Sequence, residues 1–553
     1  MSRPHPPLAR LFAALLVLSA CVSTPPAPVA PDPPPIALLA LHDVPRIAGV
    51  DAGQRGGLAR LRTLRAELEQ EHPGLLMLHA GNFLGPSLAS RLFAGEQMVD
   101  VLNLLDGDGE AFDRRLFVTF GPRELELRDA AELDRRLEQS DFRWLATNLW
   151  IDEHAGIPLL ASDRRIGTAL VETGPWKVGL FSLTTERTRP PWVLDFYDRY
   201  DTAASACQTL RRAGADVVIA LTHLDVTDDE VLLTHLGDAG PDLMIGGHDH
   251  RQTAVEVGGR WIVKASADAR SVAFVTVEPR PDGAPLVEHR FLDLGPEEPL
   301  PDPQVAALVE DWQRRVDRRY CEQRLGRAEG CLAQVVGQTA TELVAERRTI
   351  RSAETNLGNW ITDQMIDYFQ SAVPAGAPLV AFVNAGSLRL HQDVPAGPID
   401  RRQVEELFAH PAPLRLLRID GATLRQVVER SVESGSGNRG WLQIGGFAFR
   451  HDPQAETAND LTLLAPDGPR PLTDADVVYA ATVDFLINPE LGDQDGFRML
   501  RRADLVSSGV DLRDLVLYGL AKAGEAGISP TREGRICSPR RPSPCLAVSG
   551  DGS

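Results

Sequence analysis

The chain has 553 residues, 43% hydrophobic and 24% charged, a globular composition that excludes disorder, a collagen-like repeat or a many-span membrane protein for its bulk. That length corresponds to roughly three or four average domains, or two large ones. With 77 acidic against 57 basic residues the net charge is −20, which argues against a general nucleic-acid or anionic-membrane binder, since those need a broad cationic face. An anionic ligand must therefore be caught by a few local arginines. Lysine occurs only as Lys177, Lys264 and Lys522, a usage that genomic codon bias accounts for.

Arg3 and Arg10 precede the run LFAALLVLSA at 11–20, too short to span a bilayer but suited to the h-region of a secretory signal. It ends in Leu18-Ser19-Ala20-Cys21, which resembles the lipobox of bacterial lipoproteins. That resemblance implies a signal peptide over 1–20, acyl chains on Cys21, and export to the periplasmic face of the envelope, at the outer membrane, with no transmembrane helix needed. A plain signal cut near Ala20 and a short membrane anchor are the other readings of the run. Residues 22–35 are half proline and cannot build a core. In polyproline II form, at about 3.1 Å per residue, they make a tether of roughly 40 Å.

From residue 36 short apolar runs alternate with amphipathic stretches. Strands are expected at 36–41, 75–81, 115–121, 144–149, 177–183, 216–223, 242–247 and 272–278, and a helix at 56–72. This order predicts a layered α/β domain over 36–300. Pro301 and Pro303 open a charged helical connector over 301–333, a second α/β domain follows over 334–536, and 537–553 is a loose tail. There is no internal repeat. Cys321 with Cys331, and Cys537 with Cys545, are expected to form two local disulfides in an exported chain. Cys207 lies in a helix-like stretch as a buried thiol. None of the spacings suggests a cysteine zinc site.

The chemistry-bearing residues fall at predicted strand ends, where α/β sheets place their sites. DVVIALTH ends in His223, and DLMIGG runs into Gly247-His248-Asp249-His250. Two histidines at i and i+2 leaving a strand point to one side, and with His223 nearby they form a candidate imidazole cluster for a transition metal. A lone His-x-His is weak, and the strand-end context makes it more specific.

With these motifs the chain, over roughly 36–535, resembles the bacterial 5'-nucleotidase and UDP-sugar hydrolase family. The resemblance implies a four-layer α/β/β/α metallophosphoesterase domain, then an α/β 5'-nucleotidase C-terminal domain that binds nucleotide. It also implies two divalent ions (Zn, Mn, Co or Mg) holding a water that attacks phosphate. Asp43 matches the family's N-D-x-H aspartate, but Pro45 stands at its histidine. Asn82 stands at the bridging aspartate of D-A-G-D-F. In Gly121-Pro122-Arg123-Glu124-Leu125-Glu126, Pro122 replaces the metal-binding asparagine of G-N-H-E-F-D, Arg123 replaces the catalytic histidine, and Glu126 keeps the last acid. His223, His248 and His250 match fully. Four of seven ligand positions thus survive, and one ion or none is expected rather than two. Arg123 offers a guanidinium that binds phosphate without metal, against a reading of it as a solvated surface residue.

The C-terminal motifs depart less. Arg351-Ser352-Ala353-Glu354-Thr355-Asn356-Leu357-Gly358-Asn359 resembles the family's R-x-x-E-T-N-L-G-N, and Asn384-Ala385-Gly386-Ser387-Leu388-Arg389 resembles N-G-G-x-x-R. The resemblance assigns Arg351, Asn384 and Arg389 to substrate. It assigns a nucleobase sandwich to His410 and Phe497, with base stacking worth about 1–3 kcal/mol; the bland readings are ion pairs for the arginines and core packing for Phe497. Two functions stay open: a 5'-nucleotidase-like phosphoesterase with impaired or rearranged hydrolysis, or a non-catalytic nucleotide- or nucleoside-binding lipoprotein. A structural envelope lipoprotein reusing the fold is a third. Either of the first two is expected as a monomer binding a nucleotide-like small molecule, held to the membrane by its lipid alone, with no nucleic-acid partner.

Overall fold

The computed structural model describes Met1 and residues 33–107, 111–151, 164–280, 283–388, 393–408, 410–433, 440–465, 467–488 and 497–538. Cys21 with most of the tether, Arg389, the residues just before Phe497, and Cys545 lie outside them. No helix among the described residues is long and apolar enough to cross a membrane.

The first half is built on two sheets. One orders its strands Leu286–Asp293, Ser271–Glu278, Ile36–Leu41, Leu76–His79, Leu116–Thr119, Arg143–Leu145 and Arg165–Ile166. The other orders Thr253–Val257, Arg260–Lys264, Leu243–Gly246, Val217–His223, Trp176–Thr184 and Thr168–Thr173. The apolar strands are buried on both faces, and their side chains divide by parity. Ala37, Leu39 and Leu41 join the core under helices Leu58–Glu71, Glu96–Leu102 and Ala130–Gln139. Ile36, Leu38 and Ala40 meet Val217, Ile219 and Leu221 between the sheets, while Val218 and Ala220 face helices Arg199–Arg212 and Val226–Leu236 on the far side. The result is the expected α/β/β/α sandwich.

The expected strand 144–149 is instead two short ones, Arg143–Leu145 and Leu149–Ile151, in different sheets. Between them Asn148 donates from Nδ2 to the Thr184 carbonyl (3.0 Å) and accepts the Thr184 N–H (2.8 Å), which draws the chain across to pair with Val193–Phe196. The helix after residue 300, Pro303–Leu325, starts on an Asp302 cap with proline in its first turn. It stops short of residue 333, the expected end of the connector, because Gly326 takes a left-handed conformation (φ 61°). Cys321 and Cys331 are disulfide-bonded, and so is Cys537, whose expected partner is outside the described residues; Cys207 is free and buried.

The second half centres on a five-stranded sheet, Leu442–Gly445, Leu379–Asn384, Val477–Val483, Pro413–Asp420 and Asp504–Asp511, beside a four-stranded one. The halves meet at helix Arg401–Leu407. Buried Glu405 there takes a hydrogen bond from the Tyr320 hydroxyl (2.7 Å) and an ion pair from Arg513 (3.3 Å). Arg91, from helix Leu88–Phe93, reaches the Glu405 and Phe408 carbonyls (both 2.8 Å).

Candidate functional site

Strands Ile36–Leu41, Leu76–His79 and Leu116–Thr119 run parallel, as do Trp176–Thr184, Val217–His223 and Leu243–Gly246. Asp43, Asn82, Arg123, His223, His248 and His250 therefore all emerge at carboxyl ends. Strand alternation does not aim the two later histidines, because the strand ends at Gly246. Instead Asp43, Asn82, His248 and His250 all have left-handed backbones, with φ of 51°, 61°, 78° and 58°, a conformation non-glycine residues adopt where surrounding structure enforces it. The enforcement is visible at Gly247, where a Cβ would lie 2.5 Å from the Ala80 carbonyl and 2.8 Å from His223 Nδ1.

Glu124 organises two of these loops. It is fully buried and accepts the N–H groups of Phe83 (2.8 Å) and Leu84 (3.0 Å) at one oxygen and of Asn82 (2.8 Å) and Gly121 (2.7 Å) at the other. Burial raises its carboxyl, and those four donors act against the shift. The loop bearing His248 and His250 is held by Lys264, whose wholly buried ammonium contacts Asp249 (2.6 Å), Asp229 (2.7 Å) and the Leu224 carbonyl (2.8 Å). Desolvation opposes the ammonium, but the two carboxylates prevail and raise it.

Asp43 is the hub. Its Oδ1 accepts from Asn82 Nδ2 (2.8 Å) and lies 3.2 Å from His250 Nε2. Its Oδ2 accepts the His248 N–H (2.9 Å) and lies 2.7 Å from His42 Nδ1, with the other nitrogen of His42 2.8 Å from the Ala265 carbonyl. Burial pushes the Asp43 carboxyl up, but His250, His223 and His42 outweigh it and hold it well below the usual carboxylate range. His223 donates from Nδ1 to the Ala80 carbonyl (2.6 Å), leaving Nε2 buried without a partner, and burial lowers the ring to about 4. His248 Nε2 lies 3.1 Å from the Arg187 guanidinium and 3.2 Å from Asp225. The hydrogen bond from His248, with Arg187 and Lys264 nearby, takes Asp225 down to about 2 against partial burial.

These donors do not fit the metal pair that the resemblance implies. Pro45 and Pro122 have no donor atom. Asn82 turns its amide nitrogen to Asp43 and commits its oxygen to the Arg123 N–H (2.9 Å). A guanidinium already sits at His248 Nε2, where a dication would be repelled. Among the described residues, the one group of three or more His, Cys, Asp or Glu whose ligand atoms lie within 4.8 Å of one another is Asp317 with the bonded Cys321 and Cys331. The rings of His223 and His248 are near, with centroids 5.4 Å apart, but the expected three-imidazole convergence is not formed. Arg123 forms an ion pair with Glu126, so its charge is already matched.

The C-terminal candidates differ in exposure. Arg351 is buried just past helix Arg347–Ile350. Asn384, at the end of its strand, accepts the Ser387 hydroxyl (2.6 Å). His410 is exposed, whereas Phe497 is 1% exposed within the hydrophobic core, so a base could stack on Phe497 only once that ring is uncovered. Sequence reasoning missed Lys264, Arg187 and the anchoring role of Glu124. A lone lysine inside the apolar run WIVKA was the available signal for Lys264.

Residues 335–502 match the family model of the 5'-nucleotidase C-terminal domain. The snake venom 5'-nucleotidase of Gloydius brevicauda is 25% identical over 87% of this chain and 83% of its own. The trifunctional nucleotide phosphoesterase of Bacillus subtilis is 23% identical over 86% of this chain and 34% of its own. Among solved structures, the 5'-nucleotidase precursor of Thermus thermophilus superposes with a TM-score of 0.75 at 21% identity, over 92% of this chain and 100% of that one.

Proposed function

We propose that this chain is a 5'-nucleotidase-like phosphoesterase that binds nucleotides or related phosphoesters while its metal-dependent hydrolysis is impaired, a reading its similarity to that family supports. The observation that carries the reading is the closure of Asp43: both carboxylate oxygens are occupied by Asn82, His248, His250 and His42. A carboxylate so engaged has to break internal hydrogen bonds before it can ligate a cation. Binding falls to the C-terminal half, with Arg351, Asn384 and Arg389 toward phosphate or ribose and His410 and Phe497 toward a base. In this reading Arg123 and Glu126 line the phosphate end, without a group that activates water.

Metal analysis of the purified protein, with AMP and UDP-glucose hydrolysis assayed under added Mn²⁺, Co²⁺ or Zn²⁺, tests it. The expected outcome is no retained metal and no turnover, with AMP binding by calorimetry that weakens about tenfold in Arg351→Ala, the scale of a lost charge-assisted hydrogen bond. In Asn82→Asp a second carboxylate oxygen would face Asp43 at close range. That variant should melt lower without metal and recover when a divalent ion is added, whereas the natural chain should not respond. A second reading, residual hydrolysis at one weakly held ion, has the unpartnered Nε2 of His223 in its favour; turnover abolished by His223→Ala would select it. The proposal includes anchoring at Cys21 on the periplasmic face, which Cys21→Ser should abolish in a membrane-fractionation assay.

A further inference from the structure

A cavity of about 350 Å³ lies where the loop after Asp43 meets helix Arg401–Leu407 and helix Pro303–Leu325. It shares no lining residue with Arg351, Asn384, His410 or Phe497, and it touches the N-terminal motifs only at Pro45. That volume is in the range of small-molecule sites and exceeds by about tenfold the share of one liquid water.

Two side chains in its wall are chemically unfinished. Gln97 is 0% exposed; its Nε2 donates to Ser90 Oγ (2.9 Å), and its Oε1 is buried with no hydrogen-bond partner. An amide half-satisfied in the interior is costly unless something completes it. Arg402, also in the wall, makes no ion pair among the described residues. The acids beside it are engaged: Asp400 caps its helix through the Gln403 N–H (2.8 Å), and Glu406 pairs with Arg46 (3.6 Å). Asp51, Ser87 and Gln313 also line the wall, and its apolar part includes Leu88, Trp312 and Val316, all buried.

We propose that this cavity binds a small amphipathic carboxylate: an apolar body for Leu88, Trp312 and Val316, a hydroxyl or amino donor for Gln97 Oε1, and an anionic group for Arg402. A ligand there would touch both the loop leaving Asp43, which carries Arg46, and the helix carrying Glu406, so it would brace one half of the molecule against the other. The site does not depend on nucleotide binding.

The test uses the full chain and 4-hydroxybenzoate as the probe, followed by saturation-transfer NMR and calorimetry, with benzoate and phenol lacking one polar group each. Binding of 4-hydroxybenzoate is expected, with benzoate and phenol each about 3- to 10-fold weaker, the scale of one net hydrogen bond. Gln97→Met should erase the preference for 4-hydroxybenzoate over benzoate, and Arg402→Gln its preference over phenol. Excess AMP should leave the probe bound. Absence of saturation transfer in the natural chain, unchanged preferences in both variants, or displacement of the probe by AMP would each overturn the proposal. Failure of AMP to bind at all would count against the nucleotide reading and leave this one standing.

Discussion

Two buried glutamates, one in each half, do nearly the same structural work in motifs of very different fidelity. Glu124 gathers four backbone N–H groups at the ends of two strands. Glu354 gathers Asn359 Nδ2 (2.7 Å) and the N–H groups of Glu533 (2.7 Å), Gly534 (3.2 Å) and Ile536 (3.2 Å), pinning the chain's return segment. Around Glu124 the motif has decayed: Pro122 and Arg123 stand beside it where the resemblance expects ligand and catalyst. Around Glu354 it is whole, and its other members also hold backbone. Asn356 accepts the Val344 N–H and donates to the Glu342 carbonyl, and Gln443 binds the Thr355 N–H and the Ile350 and Ala353 carbonyls. What persists in both places is what the fold needs. An intact C-terminal motif is therefore weaker support for chemistry than its match to the family pattern suggests.

The sharpest way to break this equivalence is to remove both acids in turn. Glu124→Ala and Glu354→Ala should each lower the unfolding free energy by about 3–5 kcal/mol, because each leaves several buried donors unpaired. Denaturant unfolding measures the loss, and hydrogen exchange should localise it to the amides of 82–84 in the first variant and 533–536 in the second. A near-neutral Glu124→Ala would mean that the decayed motif no longer relies on Glu124.

A smaller effect is expected at His79, directly before the Asn82 loop. Burial lowers its ring to about 3, and neither nitrogen has a partner. The folded state therefore keeps it neutral, while the unfolded chain takes up a proton below its ordinary value of 6.5. Stability is fully present above pH 6.5 and is lost at about 1.4 kcal/mol per unit as pH falls toward 3, or about 2 kcal/mol at pH 5. His79→Phe removes the protonating group and two orphaned nitrogens, so between pH 7 and 5 it should lose about 2 kcal/mol less than the natural chain, the remaining loss falling to His223, whose ring burial also lowers. A variant that remains as acid-sensitive as the natural chain would place the sensitivity elsewhere.

How much of this was legible beforehand depended on whether a residue's role was local. Apolar runs at 36–41, 217–223 and 243–246 announce buried strands, and the strand-end positions of Asp43, Asn82, His223 and His248 follow from them. The strands Thr168–Thr173, Thr253–Val257 and Leu286–Asp293 were not legible, because they lie at or next to sheet edges, half exposed and mixed in composition. Nor was the break at Asn148, which depends on Thr184, 36 residues away. Which candidate residues sit at strand ends could be read from the sequence; their wiring could not. That Asn82 presents its nitrogen to Asp43, and that Arg187 reaches His248, are facts of loop geometry that spacing does not encode.

The mildest test separates fold from ligand within the intact motif itself. Thr355 caps helix Asn356–Phe369, accepting the Gly358 N–H at Oγ1 (3.0 Å), and the same hydroxyl lies 3.2 Å from Gln443 Oε1. Losing a threonine cap costs about 1 kcal/mol, whereas serine retains the hydroxyl. If the motif is kept for the fold, Thr355→Ala should lower stability by about that amount, Thr355→Ser by much less, and AMP affinity should follow stability only through the folded fraction. If Thr355→Ala instead weakens AMP binding in fully folded protein, the hydroxyl acts on the ligand. The whole segment from Arg351 to Asn359 would then be a binding element that also holds backbone, and the contrast with the Glu124 loop would become one of function rather than of architecture.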